Sequence, residues 1–297
     1  GTAKHPVLSA TVNIAGDGLA LTDLTFGART LAVAALSGST AAVDLGIAGV
    51  DGVIDLTVDG VLEGVAIPYA TTHMGGIDTI EGNEGDDIIF GGASGDKIYG
   101  DAGNDIILGD AGQVDLTGTE RDIFSVDESV GDADTISGGL DNDILLGGAG
   151  EDEISGDAGN DIVFGDSGRV DRVVDYKIVQ LSSIALGVGA GDVLYGNAGS
   201  DIVVGGAAGD EVYGGDGSAA NVDDSGDILL GDSGQIDVNS ALINVAIDNI
   251  QTISTTDTTA ETGGTDLIIG NEGDDILLGG VGADSLKGND GDDIILG

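Results

Sequence analysis

Residues 138–165 read GGLDNDILLGGAGEDEISGDAGNDIVFG, and two periods run through them. An Asp returns every nine residues, at Asp143, Asp152 and Asp161. The residues around the central apolar position alternate from ILL to EIS to IVF, so the flanks repeat only after two nonapeptides. We interpret this stretch as a coiled chain in which two nonapeptides complete one coil.

The same nonapeptide recurs along most of the chain. It is clearest in GNEGDDIIF, GGASGDKIY and GDAGNDIIL, which begin at Gly82, Gly91 and Gly100. Counting from that first Gly, position six is an acid and positions seven to nine are mostly apolar. The aspartates at position six, called the column aspartates below, are Asp78, Asp87, Asp96, Asp105, Asp134, Asp143, Asp152, Asp161, Asp192, Asp201, Asp210, Asp227, Asp266, Asp275, Asp284 and Asp293.

Each part of the nonapeptide predicts a local structure. Glycine at positions one and four permits positive φ and hence a tight turn, and positions seven to nine predict a short strand. Position eight should point inward to a thin core of Ile, Leu and Val. We therefore expect an all-β fold, a parallel β-roll in four blocks with two stacked sheets, interrupted by non-repeat β insertions.

Stacking coils also stacks the aspartates. Adjacent coils lie about 4.8 Å apart, and carboxylates at that spacing repel unless a cation lies between them. Ca²⁺ suits such a site because it accepts six to eight oxygen ligands in flexible geometry, whereas Mg²⁺ demands a stricter octahedron. With no Cys and two His in the chain, soft ligands for zinc or copper are scarce.

The pattern resembles the RTX family of calcium-binding nonapeptide repeats, whose signature is GGxGxDxUx. The resemblance implies that the position-six Asp supplies a side-chain ligand to Ca²⁺ and that turn carbonyls supply the rest. The resemblance assigns that role to all the column aspartates. Five of them begin a block or follow an insertion: Asp78, Asp134, Asp192, Asp227 and Asp266. Departures from Gly at position four bear on the local turn rather than on the architecture: Ser94, Asp141, Ala190, Ala208 and Ser225. We expect roughly eight to twelve Ca²⁺ ions, bound at extracellular, ~0.1–1 mM, calcium.

Three blocks end in a shared phrase, GDAGQVD, GDSGRVD and GDSGQID, in which position six becomes Val114, Val170 or Ile236. Because the carboxylate is lost there, we interpret this as an exit phrase that leads out of the repeat. The predicted division of the chain is 1–74 β-rich N-terminal part, 75–115 block one, 116–131 insertion, 132–171 block two, 172–186 insertion, 187–237 block three, 238–261 insertion and 262–297 block four.

The flanks of position eight predict two unlike outer faces. Alternate nonapeptides should lie on opposite sides of the roll, so one outer face is largely apolar and the other polar. The apolar face includes Ile88, Phe90, Ile144, Leu146, Ile162 and Phe164. An exposed apolar sheet is an aggregation hazard. We therefore expect either the inter-block segments or another chain to cover it.

The net charge of the chain limits the classes of partner that it can bind. The net charge of -46 disfavours nucleic acid and anionic membrane surfaces as partners, and no apolar run is long enough for a membrane-spanning helix. Aspartates phased for metal binding do not predict an enzyme.

We expect a calcium-binding structural segment of a large secreted or cell-surface protein, such as an adhesin, surface layer or filament, exported by type I secretion. Partners would be calcium and, through the apolar face, copies of itself or a surface or matrix partner. The alternative is the calcium-dependent folding and secretion region of a toxin or hydrolase whose catalytic domain lies outside this segment.

Overall fold

The protein is all β wherever the computed structural model describes it. The described residues are 76–116, 121–173, 177–217, 225–239, 250–257, 259 and 262–297. Five strands nearer the N-terminus are also placed: Ser9–Val12, Leu19–Thr22, Leu31–Ala32, Val53–Leu56 and Leu62–Ala66. Within this part of the chain there is no helix, and hence no helix of the length and apolarity needed to cross a membrane.

Two eight-stranded parallel sheets form the body of the molecule. The strands of the first sheet are Thr79–Glu81, Lys97–Ala102, Thr135–Leu140, Glu153–Ala158, Val193–Ala198, Glu211–Tyr213, Leu267–Glu272 and Ser285–Asp290. The strands of the second sheet are Ile88–Phe90, Ile106–Leu108, Ile144–Leu146, Ile162–Phe164, Ile202–Gly206, Ile228–Asp232, Ile276–Leu278 and Ile294–Leu296. Successive nonapeptides alternate between the sheets, which confirms the predicted parallel β-roll with two nonapeptides per coil.

Position eight fills the core between the two sheets, as predicted. These side chains are mostly excluded from solvent because each faces its counterpart in the opposite sheet. The buried members of this core are Ile89, Ile98, Ile107, Ile136, Leu145, Ile154, Val163, Leu194, Val203, Val212, Leu229, Ile268 and Leu277.

The insertions do not interrupt the stack. Strand Ile106–Leu108 pairs directly with Ile144–Leu146 although a long insertion separates them in the chain. Strand Glu211–Tyr213 likewise pairs with Leu267–Glu272. The blocks therefore form one continuous roll. The exact limits of the blocks and of the N-terminal part remain predictions.

A third, antiparallel sheet of nine strands, called the covering sheet here, is built from the insertions. Each exit phrase opens a hairpin, and these hairpins are Gly112–Asp115 with Ile123–Ser125, Gly168–Val173 with Lys177–Ser183, and Gly234–Val238 with Ile250–Thr255. Three N-terminal strands extend the same sheet: Leu31–Ala32, Val53–Leu56 and Leu62–Ala66. The other two N-terminal strands, Ser9–Val12 and Leu19–Thr22, pair with each other in a separate antiparallel sheet, and the remaining residues of 1–74 lie outside the described part of the chain.

The covering sheet lies over the apolar flanks of the second parallel sheet. Val114, Val170 and Ile236 are 0%, 0% and 1% exposed and belong to a second core with Leu146 and Phe164. Position six of the exit phrase is apolar because this residue enters that core. Cover by the inter-block segments is thus confirmed. The expectation that a partner docks on the apolar face is wrong for the buried part of that face, since the chain's own strands occupy it.

The second core predicts a large effect of truncating one of its side chains. Leu181 pairs with Val170 and Ile236 on the two neighbouring strands and is 0% exposed. Leu181→Ala should lower the free energy of unfolding by about 2–5 kcal/mol, measured in calcium by urea denaturation followed by circular dichroism. Leu140→Ala is the matched control because Leu140 is 57% exposed, and its effect should stay within about 0.5 kcal/mol. Equal stability of Leu181→Ala and the unmodified chain would contradict the packing of the covering sheet.

Candidate metal centres along the roll

The structure gathers the column aspartates into two columns, one at each edge where the chain crosses between the parallel sheets. In each column the backbone N–H of one Asp donates to Oδ1 of the Asp one coil on, at 2.6–3.2 Å. The first column is Asp78, Asp96, Asp134, Asp152, Asp192, Asp210, Asp266 and Asp284. The second column is Asp87, Asp105, Asp143, Asp161, Asp201, Asp227, Asp275 and Asp293. The expected juxtaposition of Asp87 with Asp105 and of Asp143 with Asp161 is therefore present.

The other carboxylate oxygen, Oδ2, is buried and accepts no hydrogen bond in many of these residues. This holds for Asp87, Asp96, Asp105, Asp134, Asp143, Asp152, Asp161, Asp192, Asp210 and Asp266. Asp143 and Asp161, for example, are each 1% exposed. A buried anionic oxygen without a donor is costly, so each such oxygen requires a proton or a cation.

Glycine at position one leaves room beside each of these oxygens. A Cβ on Gly138 would lie 2.4 Å from Oδ2 of Asp143 and 2.8 Å from the carbonyl oxygen of Gly156 on the next coil. A Cβ on Gly156 would lie 2.4 Å from Oδ2 of Asp161. A carboxylate oxygen and a carbonyl oxygen thus face a space that any side chain would fill. We call this space the cradle.

The predicted reason for glycine at position one is therefore wrong. Positive φ occurs instead at positions two and four, for example 116° at Gly148 and 140° at Gly150. Two departures from Gly at position four, Asp141 and Ala208, adopt positive φ as well, at 77° and 79°. Position one requires glycine for space, and the turn itself tolerates other residues.

Aspartates beside insertions occupy the same cradles as the others. A Cβ on Gly109 would lie 2.2 Å from Oδ2 of Asp134. The corresponding distances from Gly165 to Asp192 and from Gly231 to Asp266 are 2.2 and 2.3 Å. The columns therefore continue through the turns that a long insertion divides into two parts.

The raised pKa values of two column aspartates indicate that the columns lack a counter-charge. Burial, followed by the charge of Asp201, raises the pKa of Asp161 to about 9. Burial, followed by the charge of Asp152, raises the pKa of Asp192 to about 10. A cation in the cradle would oppose both effects, because it stabilises the ionised carboxylate.

The oxygens available favour calcium over a transition metal. No three His, Cys, Asp or Glu side chains converge on one point in the described residues, so an ion here would draw on backbone carbonyls as well as carboxylates. Calcium accepts that mixture, whereas zinc sites depend mainly on His nitrogen and Cys sulfur, with carboxylates beside them. The cradles fit Ca²⁺. The assignment of individual aspartates as ligands remains a prediction.

Two further sets of stacked side chains were not predicted from the sequence. Asp110, Asp166 and Asp232, the second residue of each exit phrase, are 4%, 4% and 0% exposed. At position five, side-chain amides form a ladder: Oδ1 of Asn104 accepts the N–H of Asn142, and Oδ1 of Asn142 accepts the N–H of Asn160. The recurrence of these residues at equivalent positions of the repeat was the available signal.

Comparison with known proteins agrees with this geometry. The family model of the RTX calcium-binding nonapeptide repeat matches four copies, at residues 74–107, 137–169, 186–218 and 262–297. No curated protein matches the chain. The four matches contain all the column aspartates except Asp134 and Asp227. The chain therefore carries four copies of the RTX calcium-binding nonapeptide repeat, and these repeats form a parallel β-roll.

Proposed function

We propose that this chain is a calcium-stabilised structural segment of a large secreted or cell-surface protein, of the adhesin, surface-layer or filament type. Calcium ions occupy the cradles of both columns, with the column aspartates as side-chain ligands. The observation that carries this proposal is the buried Oδ2 that faces a carbonyl oxygen across a side-chain-free space in repeated turns, as at Asp143 and Gly156.

The charge of the chain supports bound cations. Lys and Arg number 8 against 54 Asp and Glu, so the protein cannot neutralise its carboxylates internally. Roughly eight to twelve Ca²⁺ ions would offset about a third to a half of that excess and would bind at extracellular, ~0.1–1 mM, calcium. Because the ions bind the folded roll, they would stabilise it by mass action.

The continuity of the roll supports a structural role. The coils stack without a break from Thr79 to Leu296, which at seven strand spacings of about 4.8 Å gives a rod of roughly 34 Å. The covering sheet adds a second core along that rod. Type I secretion to the extracellular space or cell surface is the matching route for such a segment. The alternative is a calcium-dependent folding and secretion region, and a catalytic domain encoded beside this segment would favour it.

The calcium assignment predicts unequal effects for two neighbouring aspartates. Asp143→Asn removes the charge from a buried column position and should lower the number of Ca²⁺ ions bound, measured by isothermal titration calorimetry. It should also weaken the neighbouring sites about tenfold or more. Asp141→Asn is the matched control: Asp141 is an exposed turn residue at φ 77°, a conformation that Asn adopts readily. Equal stoichiometry in Asp143→Asn and Asp141→Asn would contradict the assignment.

Protons and calcium should compete for the columns. Burial raises the folded-state pKa of Asp96 to about 6, of Asp143 to about 7 and of Asp134 to about 8, from an ordinary value of 3.8. The folded chain therefore binds more protons than the unfolded chain between about pH 4 and 8, and its stability falls as pH rises through that window. In chelator, the β-signal in circular dichroism should be larger at pH 5 than at pH 8. Saturating calcium should remove most of that difference, whereas a calcium-free β-signal that rises from pH 5 to pH 8 would disprove the competition.

A further inference from the structure

Three turns of the first column are split by the long insertions. In an uninterrupted turn, Gly147 and Asp152 are joined by four residues that close the cradle covalently. In a split turn the cradle glycine, such as Gly109, belongs to the exit phrase, while its aspartate, Asp134, belongs to the re-entry segment. Something other than the local chain must therefore hold the two halves of each split cradle together.

One Asp follows the cradle glycine directly in each split turn. These residues, called the exit aspartates, are Asp110, Asp166 and Asp232. In the uninterrupted turns of the first column the same position is glycine with positive φ: Gly92, Gly148, Gly206 and Gly280. In the second column Asp also holds this position in unsplit turns, at Asp101 and Asp157. Within the first column, the exchange of Gly for Asp thus accompanies the exit to the covering sheet.

Each exit aspartate contacts the next coil. Oδ2 of Asp110 accepts the backbone N–H of Ala149 at 2.7 Å. Oδ2 of Asp166 accepts that of Ala207 at 2.5 Å. Oδ2 of Asp232 accepts that of Val281. The three donors, Ala149, Ala207 and Val281, occupy equivalent positions in the repeat, so this contact is a feature of the split turn itself.

The same carboxylates lie against the re-entry segment. A Cβ on Gly131, Gly189 or Gly263 would lie 1.8, 2.0 or 2.5 Å from an oxygen of the corresponding exit aspartate. Each of these glycines precedes its column aspartate by three residues, in the pairs Gly131 with Asp134, Gly189 with Asp192 and Gly263 with Asp266. Two re-entry N–H groups also donate to the exit aspartates, from Ala190 to Asp166 at 3.3 Å and from Gly264 to Asp232 at 3.2 Å.

A fourth interrupted turn provides an internal comparison. The chain between Gly214 and Asp227 also exceeds a normal turn, yet none of its described residues, 215–217 and 225–226, belongs to the covering sheet. Its second position is Gly215 rather than Asp. The exit aspartate therefore accompanies the long insertions and not every interruption.

We propose that Asp110, Asp166 and Asp232 are positioning residues for the split calcium turns. Each carboxylate fastens the re-entry segment to the next coil, and so holds a column aspartate beside the cradle glycine of the exit phrase. This inference rests on the proposed calcium-binding function and adds to it the residues that let a calcium turn be opened for an insertion.

The role requires an acceptor oxygen rather than a charge. Oδ1 of Asp110 is buried and accepts no hydrogen bond, so like the column oxygens it needs a proton or a cation. The positioning role needs only the other oxygen, which accepts from Ala149 and which Asn retains, whereas a cation on Oδ1 would make the charge essential. Asp110→Asn should therefore keep the fastening, and Asp110→Ala should remove it. Loss of a group that orients metal ligands weakens metal binding about 10–100-fold.

The test compares calcium binding by the full chain, the two Asp110 variants and a control. Glu151→Ala is the control because Glu151 is an exposed acid in the adjacent uninterrupted turn. Equilibrium dialysis and calorimetry should show one or two fewer Ca²⁺ ions bound by Asp110→Ala, or those sites weakened about 10–100-fold. Asp110→Asn and Glu151→Ala should match the unmodified chain.

Two results would overturn the inference. If Asp110→Ala binds calcium like the unmodified chain, the split turn needs no fastening by this carboxylate to form its calcium site. Asp110→Asn as impaired as Asp110→Ala, in binding or in calcium-induced folding, would show that the charge matters and the acceptor does not. Failure of the unmodified chain to bind calcium is a different outcome, because it removes the proposed function itself.

Discussion

Carboxylates stacked at the spacing of β-strands are the constraint on which the rest of this structure depends. Each coil brings its column aspartates about 4.8 Å from those of the next, and most coils bury one oxygen of these carboxylates, as at Asp143 beside the carbonyl of Gly156. Such an arrangement opposes folding at neutral pH unless positive charge enters it. The nine-residue period therefore encodes a chemical requirement together with a geometry, and the requirement matches the oxygen chemistry of calcium.

Glycine at position one connects that requirement to the sequence. It leaves the space in which Oδ2 of Asp143 and the carbonyl of Gly156 face each other. The positive φ values lie at positions two and four, where Asp141 and Asp157 adopt them without glycine. The sequence pattern showed that glycine recurs at position one. It could not show whether conformation or space requires it, because both produce the same repeated letter.

Much of the fold follows from two periods in the sequence. The nine-residue period predicted the strands and the inward position eight, and the alternation of flanks such as Ile144 and Glu153 predicted one apolar face. The loss of Asp at Val114, Val170 and Ile236 marked where the chain leaves the roll. That these residues form a second core under a shared antiparallel sheet depends on pairing between distant insertions. No local pattern specifies such pairing, and the role of Asp110 beside Gly131 depends on the same long-range closure.

The central claim is that a cation must neutralise the columns before the roll forms at neutral pH. Far-ultraviolet circular dichroism of the chain at pH 7.5, first in chelator and then during a calcium titration, tests it most directly. The account predicts little β-signal in chelator, a saturable rise with calcium and a reversal when chelator is restored. A full β-signal in chelator that calcium leaves unchanged would contradict it.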